Sequence, residues 1–284
     1  MKQRYFSYAK INIGLRIVNR RADGYHNLES VFQEIDLADE IHVRTLPQGF
    51  RLTTDHPEVP TDEQNLCYQV FELLQKRYEI SGGVEIHLKK RIPPGSGLGG
   101  GSSNAATCFK IFNEMFHLQL SRRELLKLAT RIGSDVPFFI IGGTALVKGR
   151  GEVVIPIRLP FRFQCLLVLP EIHISTAFIY KNFELSLTHY HDHVKFDVLV
   201  SELRKLDDLR KLPNDLEPVA VKFYPELEDI RERLKASGAS YVSLSGSGAA
   251  MYGIFPVEVD LEAVRKKYFA SERVVVARPK RIGV

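Results

Sequence analysis

The chain has 284 residues, of which 44% are hydrophobic and 26% are charged, a composition typical of a soluble globular protein. Its length suits one large domain or two of moderate size. No apolar run approaches the ~20 residues that a bilayer span requires. The net charge of +5 would suit nucleic acid or small polyanions, but the basic residues form no long patch along the sequence.

The cysteines and the N-terminus indicate a cytoplasmic protein. Cys67, Cys108 and Cys165 are scattered and lack metal-ligand spacing. The first residues contain no apolar core of a signal peptide. We therefore expect reduced thiols that pack in the core rather than disulfides or a metal centre.

Taken in chain order, the first half predicts strands, a helix and a glycine-rich stretch. Alternating apolar residues predict strands over 5–18, 29–37, 41–46, 50–54 and 83–89. Apolar residues at helical spacing predict a helix over 65–78. After the glycine-rich stretch, a capping-box pattern at Ser121 and Glu124 predicts a helix through Ile132. Two further strands are expected over 144–148 and 152–157.

The second half, after a candidate boundary at 156–160, predicts a mixture of helices with a mostly antiparallel sheet. Strands are expected over 164–169, 241–244, 251–255 and 273–278. Helices are expected over 175–182, 213–223, 225–237 and 261–269, and residues 186–212 should be helical in part. The fold class is therefore α+β.

The most informative stretch lies between the strand over 83–89 and a helix that follows it. Five glycines fall between 95 and 101, and such a run can point successive N–H groups at one anion. Ser102, Ser103 and Asn104 are good N-caps, so the helix should start there and direct its positive dipole end at the same anion. A flexible linker is the alternative, but linkers are seldom followed at once by a helix. The stretch has neither the Walker A pattern nor the Rossmann or protein-kinase spacing.

The same stretch resembles the ATP loop of the GHMP kinases, which include galactokinase, homoserine kinase and mevalonate kinase. The resemblance is carried by Pro93, Pro94, Gly95, Ser96, Gly97, Leu98, Gly99, Gly100, Gly101, Ser102, Ser103, Asn104, Ala105 and Ala106. It is closest to a branch that acts on a cytidine-diphosphate ester of methylerythritol in non-mevalonate isoprenoid biosynthesis. It implies an ATP-binding domain over 1–157, like the second domain of ribosomal protein S5. It also implies a ferredoxin-like α/β sandwich over 158–284, with the active site in the cleft between the domains.

Two further motifs, one around Lys10 and one around Asp135, occur in the family order, and the resemblance implies that these two residues are a catalytic pair. In isolation, Lys10 would be a lysine on the solvated face of a strand, and Asp135 would be a turn or N-cap residue. The resemblance instead implies that Asp135 takes the proton of the acceptor hydroxyl. Lys10 would hold that carboxylate ionised and offset charge on the phosphoryl group.

The resemblance also implies a binding site for a cytosine base. Tyr25 and Tyr180 would stack on its two faces and His26 would hydrogen-bond its edge, although each aromatic ring could instead be core packing. Asn12 matches a position that meets the substrate, Asn214 matches one near the acceptor, and Asn65 matches the edge of the adenine pocket. Residues 243–250 match a third family motif beside the phosphate loop, or form a tight strand-to-strand turn.

These motifs predict an ATP-dependent kinase that phosphorylates the 2-hydroxyl of the cytidine-diphosphate substrate. Mg²⁺ should bridge the β- and γ-phosphates, with Ser102 or Ser103 as its candidate protein ligand and no firm one. Another GHMP kinase, of the homoserine or mevalonate type, and a basic RNA-binding module are the alternatives. The RNA-binding alternative would require aromatic and basic residues interleaved on one surface, which the sequence does not show. We expect no membrane or nucleic-acid partner, and the oligomeric state is open between monomer and homodimer.

Overall fold

The computed structural model describes residues 3–183 and 195–281. The chain divides into two compact units. The first unit comprises Met1–Ala9, Leu37–Pro94 and Gly99–Ile141. The second unit comprises Lys10–Asp36, Gly95–Leu98 and Gly142–Val284. The boundary predicted between residues 157 and 158 separates two domains along the sequence, whereas these units are defined by contacts within the fold. That domain boundary therefore stays a prediction.

Two long strands contribute residues to both units. Strand β1 covers Gln3–Arg20 and pairs with β2, which covers His26–Leu46. The sequence predicted two strands, over 29–37 and 41–46, where the structure has the single strand β2. The prediction was wrong because polar residues around Asp39 interrupt the apolar alternation. Asp39 is nevertheless fully buried, where it accepts hydrogen bonds from the backbone N–H groups of Arg91 and Ile92.

The first unit packs four helices with strands β3 and β4. Strand β4 (Gly83–Lys89) pairs antiparallel with the C-terminal half of β2, and β3 (Phe50–Thr54) runs parallel to β4. The helices are α1 (Leu66–Tyr78), α2 (Gly100–Met115), α3 (Arg122–Ile132) and α4 (Val136–Ile141). The predicted capping box of α3 is confirmed, since Ser121 and Glu124 cap each other's backbone.

The second unit contains two groups of strands. Strand β5 (Thr144–Gly149) pairs antiparallel with the N-terminal half of β2, and β6 (Val153–Pro156) pairs with β5. A separate sheet is antiparallel throughout, as predicted, in the order β10-β7-β9-β8. In chain order its strands are β7 (Gln164–Val168), β8 (Tyr241–Leu244), β9 (Met251–Phe255) and β10 (Val274–Ala277).

The remaining helices also belong to the second unit. They are α5 (Thr176–Lys181), α6 (Phe196–Ser201), α7 (Glu217–Phe223), α8 (Glu226–Ala236) and α9 (Leu261–Tyr268), with a 3-10 helix over Leu206–Lys211. The prediction of partial helix over 186–212 is therefore confirmed for residues 196–211. Residues 186–194 lie outside the described part of the chain.

The start of α2 differs from the sequence prediction. The N-cap is Gly99, whose φ of +72° lies in the left-handed region, and the helix begins at Gly100. Ser102, Ser103 and Asn104 therefore lie inside the helix, and their predicted capping role is wrong. A serine or asparagine could cap the helix through its side chain, but here the reversal into the helix needs the conformational freedom of glycine.

Candidate active site

The glycine-rich loop has a backbone suited to binding an anion. Gly95, Gly97 and Gly99 have φ values of +66°, +76° and +72°, whereas Ser96 and Leu98 between them do not enter the positive range. This alternation of backbone handedness is the geometry of a nest, in which successive N–H groups converge on one anion. The loop leads directly into the N-terminus of α2, whose first N–H groups have no partner within the helix.

The middle of the loop is fixed by contacts within the second unit. The carbonyl oxygen of Gly97 accepts hydrogen bonds from Lys10 Nζ at 2.7 Å and from Ser245 Oγ at 3.0 Å. The N–H of Ala250 donates to the carbonyl oxygen of Ser96 at 3.1 Å. A Cβ atom on Gly97 would lie 1.9 Å from the carbonyl oxygen of Ser245, so glycine is required here. The segment over 243–250 therefore packs against this part of the loop.

Lys10 is a buried lysine and does not lie on a solvated face. It is 3% exposed, and its Nζ donates to Asn12 Oδ1 at 2.6 Å as well as to Gly97. The ammonium group also lies 4.8 Å from the centre of the Phe32 ring. A buried ammonium can provide strong electrostatic stabilisation to an anion that reaches it.

Asn12 and Asn214 are also buried in the second unit, and both side chains donate and accept hydrogen bonds. Asn12 Nδ2 donates to Ser30 Oγ at 3.1 Å. Asn214 Nδ2 donates to the carbonyl oxygens of Leu244 and Gly246, and its Oδ1 accepts from the N–H of Leu216. Asn214 thus ties the start of α7 to the segment over 243–250.

In the first unit, the opening turn of α2 has room above Gly101. A Cβ atom there would meet no protein atom within 4 Å, whereas one on Gly100 would lie 2.9 Å from Ile92. A helical residue usually favours alanine over glycine. The space beside Gly101 in the opening turn of the helix is therefore open. Ser103 is 1% exposed and Ser102 is half-buried, so Ser102 is the more accessible hydroxyl.

The two remaining predicted residues of the first unit lie at helix starts. Asp135 is half-buried and directly precedes α4. Asn65 caps α1, because its Oδ1 accepts from the N–H of Cys67, and its Nδ2 donates to the carbonyl oxygen of Pro60. Asp135 belongs to the first unit and Lys10 to the second, so their catalytic pairing stays a prediction, as does the adenine contact of Asn65.

Aromatic residues form a small cluster around His26 in the second unit. The His26 and Tyr180 rings lie 5.3 Å apart, and Phe183 meets His26 edge-on at 6.2 Å. Tyr25 is 56% exposed, and the guanidinium of Arg150 covers one face of its ring at 5.0 Å. Tyr25, His26 and Tyr180 were predicted from the sequence, whereas Phe183 and Arg150 were missed. Arg150 lies between Gly149 and Gly151, and this turn was the only sequence feature that could have indicated a role for it.

The surroundings of His26 favour the neutral imidazole. Burial, and next the positive charge of Arg20, lower the pKa of His26 below its ordinary value of 6.5. A neutral imidazole carries one donor and one acceptor, which is the complement that a nucleobase edge requires.

A buried ion pair supports the start of α2 and was also missed. Lys90 pairs with Asp39, and Asn104 of α2 donates to Asp39 at 2.9 Å and accepts from Lys90 at 3.1 Å. Asp39 and the Lys90 side chain are at most 4% exposed. Nothing in the sequence pattern distinguishes these residues from exposed charges at the ends of strands.

Comparison with known proteins places this arrangement in a family. The model of the GHMP kinases N terminal domain matches residues 65–143, and that of the GHMP kinases C terminal domain matches residues 195–271. A 4-diphosphocytidyl-2-C-methyl-D-erythritol kinase of Clostridium botulinum is 40% identical over 254 residues, which cover 88% of this chain and 89% of the relative. A kinase of the same name from Shouchella clausii is 40% identical over 91% of this chain and 87% of its own length.

Solved structures agree with the sequence comparison. A crystal structure of 4-(cytidine 5'-diphospho)-2C-methyl-D-erythritol kinase superposes with a TM-score of 0.80 at 30% identity, over 98% of this chain and 99% of the other. A homoserine kinase of Cytophaga hutchinsonii has a TM-score of 0.76 at 19% identity, covering 99% and 96% of the two chains, which shows the shared fold alone. The chain therefore belongs to the GHMP kinases and, within them, to the family of 4-diphosphocytidyl-2-C-methyl-D-erythritol kinases.

The described residues contain no helix long and apolar enough to span a membrane. They also contain no cluster of three or more histidine, cysteine, aspartate or glutamate side chains placed to hold a metal ion.

Two glycine substitutions should separate the loop's support from its binding surface. We expect Gly101→Ala to leave the fold stable and to raise the KM for ATP about tenfold or more, because its methyl group would occupy the approach to the helix N-terminus.

We expect Gly97→Ala to lower the free energy of unfolding by about 2–4 kcal/mol, because its Cβ would overlap the Ser245 carbonyl oxygen at a positive φ. Urea unfolding and ATP kinetics measure both. An unchanged KM in the stable Gly101→Ala protein would contradict the binding role.

The His26 environment predicts a titration below the ordinary histidine range. Since the folded pKa is lowered, the unfolded chain binds the proton more readily, and His26 reduces stability as the pH falls from about 6.5 towards the folded pKa. Histidine resonances followed by NMR should show a midpoint below 6.5. In Arg20→Gln that midpoint should rise, but not fully to 6.5, because burial is the larger cause. A wild-type midpoint above 6.5 would show that the imidazole is not held neutral.

Proposed function

We propose that this chain transfers the γ-phosphoryl group of ATP to the 2-hydroxyl of 4-diphosphocytidyl-2-C-methyl-D-erythritol. One observation supports the acceptor above all: the His26 ring lies 5.3 Å from the Tyr180 ring, within the same unit that holds loop residues 95–98. Homoserine and mevalonate have no base that would use such a cluster. Two relatives that are each 40% identical to this chain are named as kinases of this cytidine compound.

ATP would bind with its phosphates on the glycine-rich loop and the N-terminus of α2. The nest over 95–99 and the first N–H groups of the helix offer donors without side-chain rearrangement. Asn65 would border the adenine while it caps α1. Mg²⁺ neutralises charge on the β- and γ-phosphates when it is bound. Of the two candidate serines, Ser102 is the more accessible and would contribute a ligand. Phosphate oxygens and water would supply the others, as is usual for this ion.

Asp135 would accept the proton of the acceptor hydroxyl as that oxygen attacks phosphorus. Lys10 would stabilise the negative charge of the transferring group, because its ammonium is buried and oriented by Asn12 and Gly97. Phosphoryl transfer depends mainly on positioning and charge, which these two side chains and the loop would supply together with Mg²⁺.

The cytosine would bind at the cluster around His26. Tyr25 and Tyr180 would provide the stacking faces, and His26 would hydrogen-bond the base edge. Arg150 covers one face of Tyr25, so it would fix the orientation of that ring or contact the diphosphate. Asn12 and Asn214 would support the acceptor side.

The function is tested by measuring ADP release from Mg·ATP with three acceptors in parallel: 4-diphosphocytidyl-methylerythritol, homoserine and mevalonate. We expect kcat/KM for the cytidine compound to exceed that for either other acceptor by several orders of magnitude. Comparable turnover of homoserine or mevalonate would be consistent with the proposed role of the phosphate loop but would contradict the proposed base pocket. Turnover with none of them would reject the proposal.

Asp135→Asn tests the assignment of the base. The amide cannot take a proton, so we expect kcat to fall by about 10²–10⁴-fold while the Kd for ATP stays nearly constant. Asp207→Asn, an exposed aspartate paired at the surface with Arg210, is the matched control and should keep full activity. Near-normal turnover of Asp135→Asn would remove this residue from the mechanism.

A further inference from the structure

A large cavity in the second unit contains none of the residues discussed above as the candidate site. Its volume is about 1010 Å³, which is at the upper end of the range of small-molecule pockets. It is bounded by the connection between β6 and β7, by residues 278–281 after β10, and by Gln33 of β2.

The walls of this cavity are held in place by hydrogen bonds. The segment after β10 pairs along β2, with the N–H of Lys280 donating to the carbonyl oxygen of Glu34 at 2.7 Å and Gln33 Nε2 donating to that of Lys280 at 2.9 Å. On the other side, Gln164 Nε2 donates to the carbonyl oxygens of Pro256 and Val259. The backbone walls of the cavity are therefore pre-formed, and a ligand would have to order only the exposed side chains of Arg158, Arg162 and Arg281 on binding.

The lining carries a strong excess of positive charge. It includes Arg158, Arg162, Arg278, Lys280 and Arg281, and no aspartate or glutamate is among its fourteen residues. Within the described part of the chain, the side chains of Arg158, Arg162 and Arg281 form no ion pair.

Two carboxylates of β2 near the cavity, Glu34 and Asp36, accept hydrogen bonds from backbone N–H groups. Glu34 accepts the N–H of Gly143 at 3.0 Å, and Asp36 accepts the backbone N–H of Arg278 at 2.7 Å. Several guanidinium groups gathered at one cavity match the geometry of phosphate oxygens, which they bind in pairs.

The other part of the lining is apolar. The Phe161 and Phe163 rings lie 6.4 Å apart and tilted by 54°, and Leu159 and Val257 add aliphatic surface. Cations beside aromatic rings suit a ligand that is anionic at one end and flat or apolar at the other. We propose that this cavity is a second binding site, for a small organic phosphate with an aromatic or apolar body.

The chain contains no tryptophan, so Phe161→Trp places a single fluorescent reporter in the cavity wall. The full chain carrying this change would be titrated with phenyl phosphate, inorganic phosphate and phenol, each with ATP saturating. We expect a saturable change with phenyl phosphate and binding about tenfold or more weaker for the other two. Equal binding of phenol would show that the arginines do not contribute to the affinity. Equal binding of inorganic phosphate would show that the aromatic rings do not contribute to it.

A second experiment removes positive charge from the cavity lining. In the reporter background, Arg158→Gln, Arg162→Gln and Arg281→Gln together should weaken phenyl phosphate about tenfold or more. Arg122→Gln, Arg123→Gln and Lys266→Gln remove the same charge at exposed positions elsewhere and should leave the affinity unchanged. Thermal unfolding verifies that both triple variants fold. The proposal fails if phenyl phosphate gives no saturable signal, if the two triple variants bind alike, or if ATP competes the ligand away.

Discussion

The carbonyl oxygen of Gly97 is the point on which the candidate site depends. It accepts hydrogen bonds from the ammonium of Lys10 and the hydroxyl of Ser245, which are 87 and 148 residues away along the chain. This one acceptor fixes the buried lysine, the glycine-rich loop and the turn before β9 relative to one another. A side chain at Gly97 would break the arrangement by overlapping the backbone of Ser245. The loop therefore keeps its conformation through these contacts, because a free run of glycines would not hold one conformation.

A second constraint acts on the helix that follows the loop. Asn104 joins the buried Asp39–Lys90 pair, so α2 is anchored one turn after its N-terminus. A buried ion pair contributes little net stability, but loss of one partner leaves an unpaired charge and is costly. The pair therefore favours one position of the helix over others. A pre-organised helix N-terminus stabilises developing negative charge without reorganising during the reaction.

The sequence predicted most elements and the family, because these depend on local patterns. The helix predicted over 65–78 is α1, Ser121 and Glu124 form the predicted capping box, and the second sheet is antiparallel as expected. The start of α2 was misplaced because Ser102 and Ser103 are good caps by type, whereas the backbone reversal occurs at Gly99. The continuity of β2 was missed because the burial of Asp39 is made favourable by partners some fifty residues away.

The motifs located Lys10, Tyr25, His26 and the loop, but not what surrounds them. Burial of Lys10 and the contact of Arg150 with Tyr25 arise from tertiary packing, which has no periodic signature in the sequence. The same holds for the cationic cavity, whose arginines come from two segments more than a hundred residues apart. Local spacing can identify a phosphate loop, whereas charges gathered from distant segments become visible only in the folded chain.

The most direct test of the central claim is a ³¹P NMR analysis of the reaction product. The chain would be incubated with Mg·ATP and 4-diphosphocytidyl-methylerythritol until ATP is consumed. We expect one new phosphomonoester, attached at the 2-hydroxyl, in equal amount to the ADP formed and with the cytidine diphosphate group intact. Inorganic phosphate in place of the phosphomonoester, or a phosphoryl group on another oxygen, would contradict the account.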